Sequence, residues 1–201
     1  MKYGMVFDLK RCVGCNSCTV ACKQVNGVLP GAFRTKVVIS EEGTYPNVRL
    51  KLTPHICMHC ENPECVRVCP TGASMKLDNG IVVVDKEKCI GCQYCIMACP
   101  YQARTFTTDV RGYFPNQPGD AYEKNMLAKH VVGEIDKCDF CLARLEAGKK
   151  PACVATCGPK ARIFGDLDDP ASEISYVLKT RDATRMLPHL GLNPSVYYVT
   201  M

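Results

Sequence analysis

Residues 57–100 read CMHCENPECVRVCPTGASMKLDNGIVVVDKEKCIGCQYCIMACP and contain two groups of four cysteines. The second group has the spacing C-x2-C-x2-C-x3-C, and the first differs from it only by a wider central gap. Such a spacing wraps three consecutive thiolates around one iron–sulfur cluster and directs the fourth thiolate to a neighbouring cluster. The segment is therefore expected to bind two [4Fe-4S] clusters.

Two further groups of four cysteines flank this segment, and no cysteine of the sequence lies outside the four groups. In chain order, the groups are Cys12, Cys15, Cys18 and Cys22; Cys57, Cys60, Cys65 and Cys69; Cys89, Cys92, Cys95 and Cys99; and Cys138, Cys141, Cys153 and Cys157. All four groups end with the same C-x3-C spacing, which marks an internal repeat. Each group has enough thiolates for one cluster, so the sequence predicts four [4Fe-4S] clusters with sixteen cysteine ligands.

Groups two and three are close together along the chain, which pairs them in one two-cluster unit. Asn79-Gly80 lies between two β-prone runs in the linking segment, and this dipeptide is a strong hairpin signal. The exchange of fourth ligands then predicts two ligand sets. They are Cys57, Cys60, Cys65 and Cys99 for one cluster, and Cys89, Cys92, Cys95 and Cys69 for the other.

Groups one and four are left to pair with each other. The same exchange predicts the ligand sets Cys12, Cys15, Cys18 and Cys157, and Cys138, Cys141, Cys153 and Cys22. The expected fold class is α+β, with two bacterial-type 2[4Fe-4S] ferredoxin-like units, one inserted in the other, long connecting loops and a C-terminal tail. The boundaries are 1–52 plus 133–166 for the outer unit, 53–110 for the inner unit, 111–132 for a connecting insertion and 167–201 for the tail.

Local patterns predict several short elements around the cysteine groups. A strand should lead into group one at Val6-Phe7-Asp8 and into group three at Val83-Val84-Asp85. A short helix is expected after the last cysteine of each group and should end near the following proline, because proline cannot continue a helix. Further helices are expected within Ala121–Val131 and from Asp169-Pro170 into an amphipathic stretch. The tail should pack on the inner unit.

Composition argues against the other common uses of clustered cysteines. A chain of 201 residues with 47% hydrophobic residues does not need disulfides to build a core. Structural zinc sites usually pair two C-x2-C knuckles across a longer loop, whereas four ligands here crowd into a short segment that ends at proline. We therefore favour iron–sulfur clusters over disulfides and over zinc.

Charge and hydropathy exclude further classes. The formal charge is +5, but each oxidised cluster with its thiolates carries about two negative charges, so four clusters would bring the total to about −3. The lysine and arginine excess is better explained as counter-charge for clusters than as a nucleic-acid surface. No apolar run approaches the roughly eighteen residues of a membrane span, and the chain is expected to lack an export signal of its own.

Several side chains next to cysteines are candidates to influence the clusters. His59 is not needed to complete a ligand set, so a position beside a cluster or at the surface is expected. Tyr94, Tyr101 and Phe140 are expected to shield clusters from water by packing. Basic residues also lie just before first ligands, and we expect them either to raise cluster potentials or to be solvated at the surface. They are Lys10, Arg11, Lys86, Lys88 and Lys137.

With the four groups in this order, nearly the whole chain resembles the electron-transfer subunit of complex iron–sulfur molybdoenzymes, the family that includes the iron–sulfur subunits of dimethyl sulfoxide, polysulfide, tetrathionate and arsenate reductases. The matching stretches are Cys12-Val13-Gly14-Cys15, Cys57-Met58-His59-Cys60-Glu61-Asn62-Pro63, Cys69-Pro70-Thr71-Gly72-Ala73, Cys99-Pro100-Tyr101, Lys137-Cys138-Asp139-Phe140-Cys141 and Pro194-Ser195-Val196-Tyr197-Tyr198. In the nitrate reductase branch, Trp replaces one cysteine of group three and the protein holds a three-iron cluster. Cys92 is intact here, so the resemblance implies four [4Fe-4S] centres.

The resemblance implies a relay protein without catalytic residues. Electrons would pass between a quinol-oxidising membrane subunit or a cytochrome, near group three, and a catalytic subunit with molybdenum or tungsten on a pterin, near groups one and four. No nucleic-acid partner and no membrane span of its own are expected. Because many relatives travel folded across the membrane with a twin-arginine catalytic partner, we expect the outer, periplasmic face of the cytoplasmic membrane, with a cytoplasmic location as the alternative.

Two other functions fit the sequence less well. A free polyferredoxin, or one linked to a hydrogenase or formate dehydrogenase, would also hold four clusters, but the long connections and the tail favour a permanent partner. An enzyme that uses a cluster as a Lewis acid needs an iron without a protein ligand, and all sixteen ligands are present. The expected function is therefore electron transfer within an anaerobic respiratory reductase.

Overall fold

The computed structural model describes residues 1–114 and 116–200, so one residue of the predicted insertion, Pro115, and one of the tail, Met201, lie outside the described residues. In chain order the elements are β1 (Tyr3–Asp8), α1 (Ser17–Asn26), β2 (Thr35–Thr44), β3 (Asn47–Ile56), α2 (Glu64–Arg67), β4 (Ser74–Lys76), β5 (Val82–Val84), α3 (Tyr94–Met97), β6 (Arg104–Phe106), α4 (Ala121–Leu127), β7 (Ile135–Lys137), α5 (Leu142–Glu146), α6 (Ala152–Ala155), β8 (Arg162–Asp166), α7 (Glu173–Thr180), β9 (Ala183–Thr184), a 3-10 helix (Pro188–Leu190) and β10 (Val196–Val199). The expected mixture of helix and strand is confirmed.

The largest sheet has the strand order β8-β1-β10-β9. Its strand β1 runs antiparallel to β8, with Met5 opposite Phe164, and parallel to β10. Residues 4–8 of β1 are buried on both faces of the sheet, as is typical of a strand that is covered on both sides. Helix α7 covers part of the sheet through Ile174 and Val177. The sheet therefore holds the chain that leads into group one.

The tail departs from the prediction that it packs on the inner unit. Strand β10 and helix α7 pack instead on β1 and β8, the strands that precede group one and follow group four. The loop before β10 does contact residues 53–110, because the N–H of Glu61 bonds the carbonyl of Asn193 and the N–H of Ser195 bonds the carbonyl of Met58. The tail packs here because a strand can pair along both of its edges. Strand β8 occupies one edge of β1, and β10 pairs with the other.

The hairpin expected at Asn79-Gly80 is confirmed. Strand β4 pairs antiparallel with β5, and Ser74 lies opposite Val84. The strands predicted before groups one and three are also present, as β1 and β5. A further short ribbon, β6 with β7, joins the end of group three to the start of group four and places Arg104 opposite Lys137.

A long hairpin between groups one and two was not predicted. Strands β2 and β3 pair over ten residues each, with Thr35 opposite Ile56 at the base. The outer part of this hairpin is exposed and includes the apolar side chains of Ile39 and Leu50. Apolar and polar residues alternate along β3, with Val48, Leu50 and Leu52 separated by Arg49 and Lys51, so the sequence held a strand signal that the prediction did not use.

The short helices of groups two, three and four lie before the last ligand, not after it as predicted. Helices α2, α3 and α6 end two residues before Cys69, Cys99 and Cys157, respectively. A proline closely follows each of these cysteines, and the residues before a proline are biased away from helical geometry. The chain therefore leaves the helix before the last ligand, which is free to turn toward the interior.

The two helices predicted outside the cysteine groups are present but shorter. Helix α4 occupies the first part of Ala121–Val131, and the Asp120 carboxylate caps its N-terminus. Helix α7 begins after Ser172, whose hydroxyl is its cap, and not at Asp169-Pro170. Such caps satisfy backbone N–H groups that have no partner within the helix.

One continuous hydrophobic core includes side chains from both predicted units. Its buried members include Met5, Phe7, Ile56, Met58, Ile81, Phe140, Val196 and Tyr198. Cysteines of groups one, two and four belong to the same core, at Cys18, Cys57, Cys138 and Cys153. The cysteine loops are therefore held by the same apolar contacts that stabilise the fold.

Candidate metal centres

Three cavities are each lined by four cysteines. Site 1 has Cys12, Cys15, Cys18 and Cys157, site 2 has Cys22, Cys138, Cys141 and Cys153, and site 4 has Cys69, Cys89, Cys92 and Cys95. The empty volumes of sites 1, 2 and 4, mouths included, are about 350, 280 and 320 Å³. The three cavities are therefore alike in extent and in their lining of four thiols.

The remaining four cysteines form a fourth set of neighbouring thiols, which we call site 3. It consists of Cys57, Cys60, Cys65 and Cys99. Burial raises the pKa of the Cys60 thiol to about 12, and the negative charges of the other three thiolates contribute to this rise. Cys57 belongs to the hydrophobic core, and Cys60 and Cys99 pack against that core. Charges act appreciably only over short distances, so the four sulfur atoms lie near one another.

Each site combines three cysteines of one group with one of another. Cys157 lies with three thiols of group one, and Cys22 lies with three thiols of group four. Sites 3 and 4 exchange Cys99 and Cys69 in the same way. All sixteen cysteines are free thiols, so each site offers four sulfur donors.

The donor sets fit a cubane cluster. Within residues 1–114 and 116–200, no three or more His, Cys, Asp or Glu side chains are arranged closely enough to hold a single metal ion. The thiols of sites 1, 2 and 4 instead surround a space. Four thiolates around a space are what a [4Fe-4S] cluster requires.

Burial makes several of these thiols difficult to deprotonate unless a cation lies nearby. It raises the pKa of Cys22 to about 12 and that of Cys153 to about 11, and it places the pKa of Cys138 well above its ordinary value. At the surface, by contrast, hydrogen bonding with Ser17 lowers the pKa of Cys15. The irons of a cluster supply the positive charge that buried thiolates need, so cluster and ligands stabilise each other.

The four C-x2-C loops share one backbone feature. The residue before the second cysteine has a positive φ, of 68° at Gly14 and Gly91, 44° at His59 and 54° at Phe140. Glycine adopts this conformation freely, whereas a residue with a Cβ loses about 1–2 kcal/mol there. Groups two and four therefore retain a bulky side chain at a strained position.

His59 is fully buried beside site 3. Its Nδ1 accepts a hydrogen bond from the N–H of Val82 at 3.0 Å, and its ring packs on Phe140. Burial holds the pKa of His59 well below its ordinary value, and the positive charges of Lys137 and Arg104 lower it further. The ring is thus neutral, and its proton is on Nε2 because Nδ1 is an acceptor.

The aromatic residues next to cysteines differ in exposure. Phe140 and Tyr101 are buried, and the Tyr101 hydroxyl donates to the carbonyl of Met186 in the tail. Both side chains therefore exclude water from the core around the cysteines. Tyr94 is exposed and does not have this role.

Arg104 is a buried residue that the sequence had not singled out. Its Nη2 donates to the Sγ of Cys65 at 2.9 Å and to the Oγ of Ser74 at 2.7 Å. Burial raises the pKa of the Cys95 thiol, and the charge of Arg104 opposes this rise. Arg104 therefore interacts with a thiol of site 3 and with a thiol of site 4.

Arg162 repeats these contacts at sites 1 and 2. Its Nη2 donates to the Sγ of Cys18 at 3.1 Å and to the Oγ1 of Thr35 at 3.0 Å. Burial raises the pKa of the Cys153 thiol, and the nearby Arg162 opposes this rise. The sequence held a signal for both arginines, because each follows the last cysteine of its group by five residues.

The basic residues expected before first ligands are mostly at the surface. Lys10, Arg11 and Lys88 are exposed, and Lys86 is partly buried in an ion pair with Glu134. Lys137 is the buried exception. Its Nζ donates to the carbonyls of Val82 and Cys138, which ties the strand before group three to the first ligand of group four.

Two cysteines are exposed, Cys15 at site 1 and Cys92 at site 4. Each is the second cysteine of a C-x2-C loop. The apolar residue that follows the first cysteine of that loop, Val13 or Ile90, is also exposed. Sites 1 and 4 therefore reach the surface beside apolar side chains. Such a surface suits electron exchange with a docked protein.

Comparison with known proteins agrees with these features. Family models described as 4Fe-4S dicluster domain match residues 11–73, 48–113 and 81–158, which together span the four cysteine groups. Each model matches neighbouring groups in sequence, whereas site 1 joins thiols of groups one and four in space. Sequence models detect the spacing of cysteines and carry no information on which thiols meet.

Relatives resemble this chain over nearly its whole length. A selenate reductase subunit of Mesobacillus selenatarsenatis is 44% identical, with 98% of this chain and 71% of the relative covered. A tetrathionate reductase subunit of Salmonella typhimurium is 43% identical, with 98% and 72% covered. The arsenate respiratory reductase iron–sulfur subunit of Shewanella sp. is 36% identical, with 99% and 96% covered.

None of the helices in the described part of the chain is both long and apolar enough to cross a bilayer. The cysteine sites, the dicluster matches and the relatives point to one assignment. The chain belongs to the iron–sulfur subunits of complex iron–sulfur molybdoenzymes, and it is an electron-transfer subunit of a respiratory reductase complex with a separate catalytic subunit.

Proposed function

We propose that the chain holds four [4Fe-4S] clusters, one at each of sites 1 to 4. They relay electrons between a quinol-oxidising membrane subunit or cytochrome and a catalytic subunit with molybdenum or tungsten on a pterin. The four thiols of each site are the ligands of its cluster. A cluster supplies one-electron redox chemistry, and the protein contributes ligands, shielding and positive charge.

The nested arrangement of the two ferredoxin-like units is part of this proposal. Sites 3 and 4 are built from groups two and three, which are adjacent in sequence and share the β4–β5 hairpin. Sites 1 and 2 are built from groups one and four, which the inner segment separates. Strands β1 and β8, which precede and follow these outer groups, pair in one sheet.

The observation that carries the proposal is a series of contacts that orders the sites. Arg162 contacts thiols of sites 1 and 2, and Arg104 contacts thiols of sites 3 and 4. Between these pairs, His59 from a site 3 loop stacks on Phe140 from a site 2 loop. The order is therefore 1, 2, 3, 4, and the exposed ligands Cys15 and Cys92 belong to the terminal sites.

The protein's own residues give each position in this relay a distinct role. The thiols of site 2 are all buried and those of site 3 are buried or half-buried, and buried aromatic side chains lie beside both sites, which favours transfer within the chain over leakage to solvent. Arg104, Arg162 and Lys137 provide buried positive charge where electrons are added. The terminal sites exchange electrons with partners through the exposed surfaces beside Cys15 and Cys92.

The catalytic subunit is assigned to the site 1 end. Val37 and Pro54, at the base of the β2–β3 hairpin, line the site 1 cavity. The outer part of the hairpin presents exposed apolar side chains, among them Ile39 and Leu50. An apolar arm beside a terminal site suits a large permanent partner. The donor is assigned to site 4, beside Cys92.

We place the complex on the outer face of the cytoplasmic membrane, with the chain exported together with its catalytic partner. A cytoplasmic complex is the alternative. Fractionation of cells that lack the leader of the catalytic subunit separates the two. The chain should shift to the cytoplasm in those cells if export depends on the partner, and its position should not change if the complex is cytoplasmic.

The relay function is tested by the substitution Cys92→Ser in the assembled complex. Removal of one thiolate should convert the site 4 cluster to a three-iron form and shift its potential, since cluster type and charge set potentials. Turnover with the physiological donor should then fall steeply. Activity with a dye that donates directly to the catalytic subunit should be retained, because that chemistry lies in another chain.

Equal loss in the two assays, with the complex still assembled, would contradict the relay function. A matched control is Cys15→Ser at the other exposed ligand. If site 1 faces the catalytic subunit, this variant should also block donor-linked turnover while reduction of site 4 by the donor persists. If the donor no longer reduces site 4 in Cys15→Ser, the donor must dock at site 1, and the proposed orientation is wrong.

A further inference from the structure

Arg104 and Arg162 occupy equivalent positions in the two halves of the cysteine repeat. Each follows the last cysteine of its group by five residues, and each begins a strand, β6 or β8. The exposed fraction is 6% for Arg104 and 4% for Arg162. Buried arginine is rare and normally has a charged partner, so two such residues at repeated positions call for an explanation.

Both guanidinium groups make the same pair of hydrogen bonds. In each, Nη2 donates to one cysteine sulfur and to one hydroxyl, Ser74 for Arg104 and Thr35 for Arg162. The hydroxyl group fixes the orientation of the guanidinium plane. The sulfur is then approached by a charged donor, which makes a stronger hydrogen bond than a neutral one.

Each arginine also spans two sites. Arg104 lines the cavity of site 4 and bonds Cys65, which belongs to site 3. Arg162 lines the cavity of site 1, and the strand that it begins, β8, packs against helix α6, which carries Cys153 of site 2. The charge of Arg162 also acts on the Cys153 thiol. One cation is therefore shared by the two sites of each pair.

The second terminal nitrogen of both side chains lacks a partner. Among the described residues, Nη1 of Arg104 and Nη1 of Arg162 are buried without a hydrogen-bond acceptor. The negative groups that act on the two guanidinium groups are thiolates of the sites they span. A buried donor with a full charge is costly unless an anion compensates it. Anionic clusters at the adjacent sites meet this requirement.

We propose that Arg104 and Arg162 are positioning residues that are each shared by two clusters, and that each raises the reduction potentials of both clusters of its pair. This inference rests on the ligand sets proposed above. Reduction adds one electron to a cluster and breaks no bond, so its negative charge increases by one. A fixed cation nearby favours the more negative form, which makes reduction easier. Arg104 acts on sites 3 and 4, and Arg162 acts on sites 1 and 2.

The sharing has a consequence for the two clusters of a pair. Two adjacent clusters that are both reduced repel each other, and this repulsion opposes the addition of the second electron. A fixed cation between them attracts both added electrons and so offsets part of this repulsion. Both clusters of a pair can then be reduced at higher potentials than they would have without the cation.

The test compares the substitutions Arg104→Met and Arg162→Met in the complete complex, with the potentials of all four clusters followed by anaerobic redox titration and electron paramagnetic resonance. Arg104→Met should shift the potentials of sites 3 and 4 to more negative values and leave sites 1 and 2 unchanged. Arg162→Met should produce the reverse pattern. Each variant is therefore the control for the other, and Arg→Lys at either position should largely restore the potentials.

A shift at a single cluster, a shift at all four, or no shift with full iron content would overturn the inference. If a Met variant loses iron, the matching Lys variant decides the question. If the Lys variant keeps its iron and its potentials, the charge of the side chain is what matters. If the Lys variant also loses iron, arginine only holds the loops together and the inference is wrong. A wild-type protein with fewer than sixteen irons would instead contradict the proposed ligand sets themselves.

Discussion

The imidazole ring of His59 stacks on the phenyl ring of Phe140, with ring centroids 3.8 Å apart and an interplanar angle of 26°. Both residues stand immediately before the second cysteine of a C-x2-C loop, one beside site 3 and the other beside site 2. Both have a positive φ. The contact of the two rings joins the loop beside site 3 to the loop beside site 2.

This contact predicts a large loss of stability when Phe140 is truncated. Phe140→Ala removes a fully buried ring and should lower the free energy of unfolding by about 3–5 kcal/mol. Denaturant unfolding of the cluster-loaded protein under anaerobic conditions measures the loss. Tyr176→Ala, at an exposed aromatic residue of α7, is the control and should change it by less than about 0.5 kcal/mol. Equal effects of the two substitutions would show that the stack contributes nothing.

Metal analysis should find close to sixteen irons in the anaerobically reconstituted chain, one for each cysteine. The expected acid-labile sulfide content is the same, and neither zinc nor disulfides should be present. Iron and sulfide assays together with thiol titration check this. About eight irons, or zinc in a stoichiometric amount, would contradict the assignment of four cubane clusters.

The exchange of ligands between groups predicts a specific result for Cys22→Ser. This residue follows the site 1 cysteine Cys18 by one helical turn but lines site 2. The substitution should therefore damage the cluster at site 2 and leave that at site 1 intact. Electron paramagnetic resonance of the reduced protein distinguishes the two signals, with Cys12→Ser as the matched variant for site 1. Loss of the same signal in both variants would refute the exchange.

Two glycines with nearly the same φ predict different outcomes when alanine replaces them. At Gly91, with φ +68°, a Cβ would lie 2.2 Å from the carbonyl oxygen of Gly133, whereas at Gly72, with φ +67°, it would meet nothing within 4 Å. Gly72→Ala should cost only the backbone strain of about 1–2 kcal/mol and keep all iron. Gly91→Ala should also displace the site 4 loop and reduce the iron content to about twelve.

Iron content and unfolding of both alanine variants, measured in parallel, test this prediction. Because the strain from φ is common to the two, any difference in iron reports the clash with Gly133. The same iron content in both variants would mean that the site 4 loop can move away from Gly133 without loss of its cluster.

Much of the local structure was predictable from the sequence. The spacing of the cysteines indicated the dicluster domains, Asn79-Gly80 indicated the β4–β5 hairpin, and the apolar runs indicated strands β1 and β5. These features depend on residues that are close together along the chain. Loop geometry and strand alternation are set by such neighbours, so a sequence pattern is sufficient to reveal them.

The tertiary structure decided what depends on distant residues. The exposure of the apolar side chains on the outer part of the β2–β3 hairpin was not evident from the sequence, and β10 pairs with β1 although the tail was expected on the inner unit. Arg104 reaches Cys65 across 39 residues of chain, and Arg162 reaches Cys18 across 144. A buried charge acquires its partners only when the core closes around it, because burial and proximity are properties of the folded chain and not of any one segment. The cysteine spacing thus determined the kind of cofactor this protein is suited to hold, and the packing of the core decided which charges and rings surround each site.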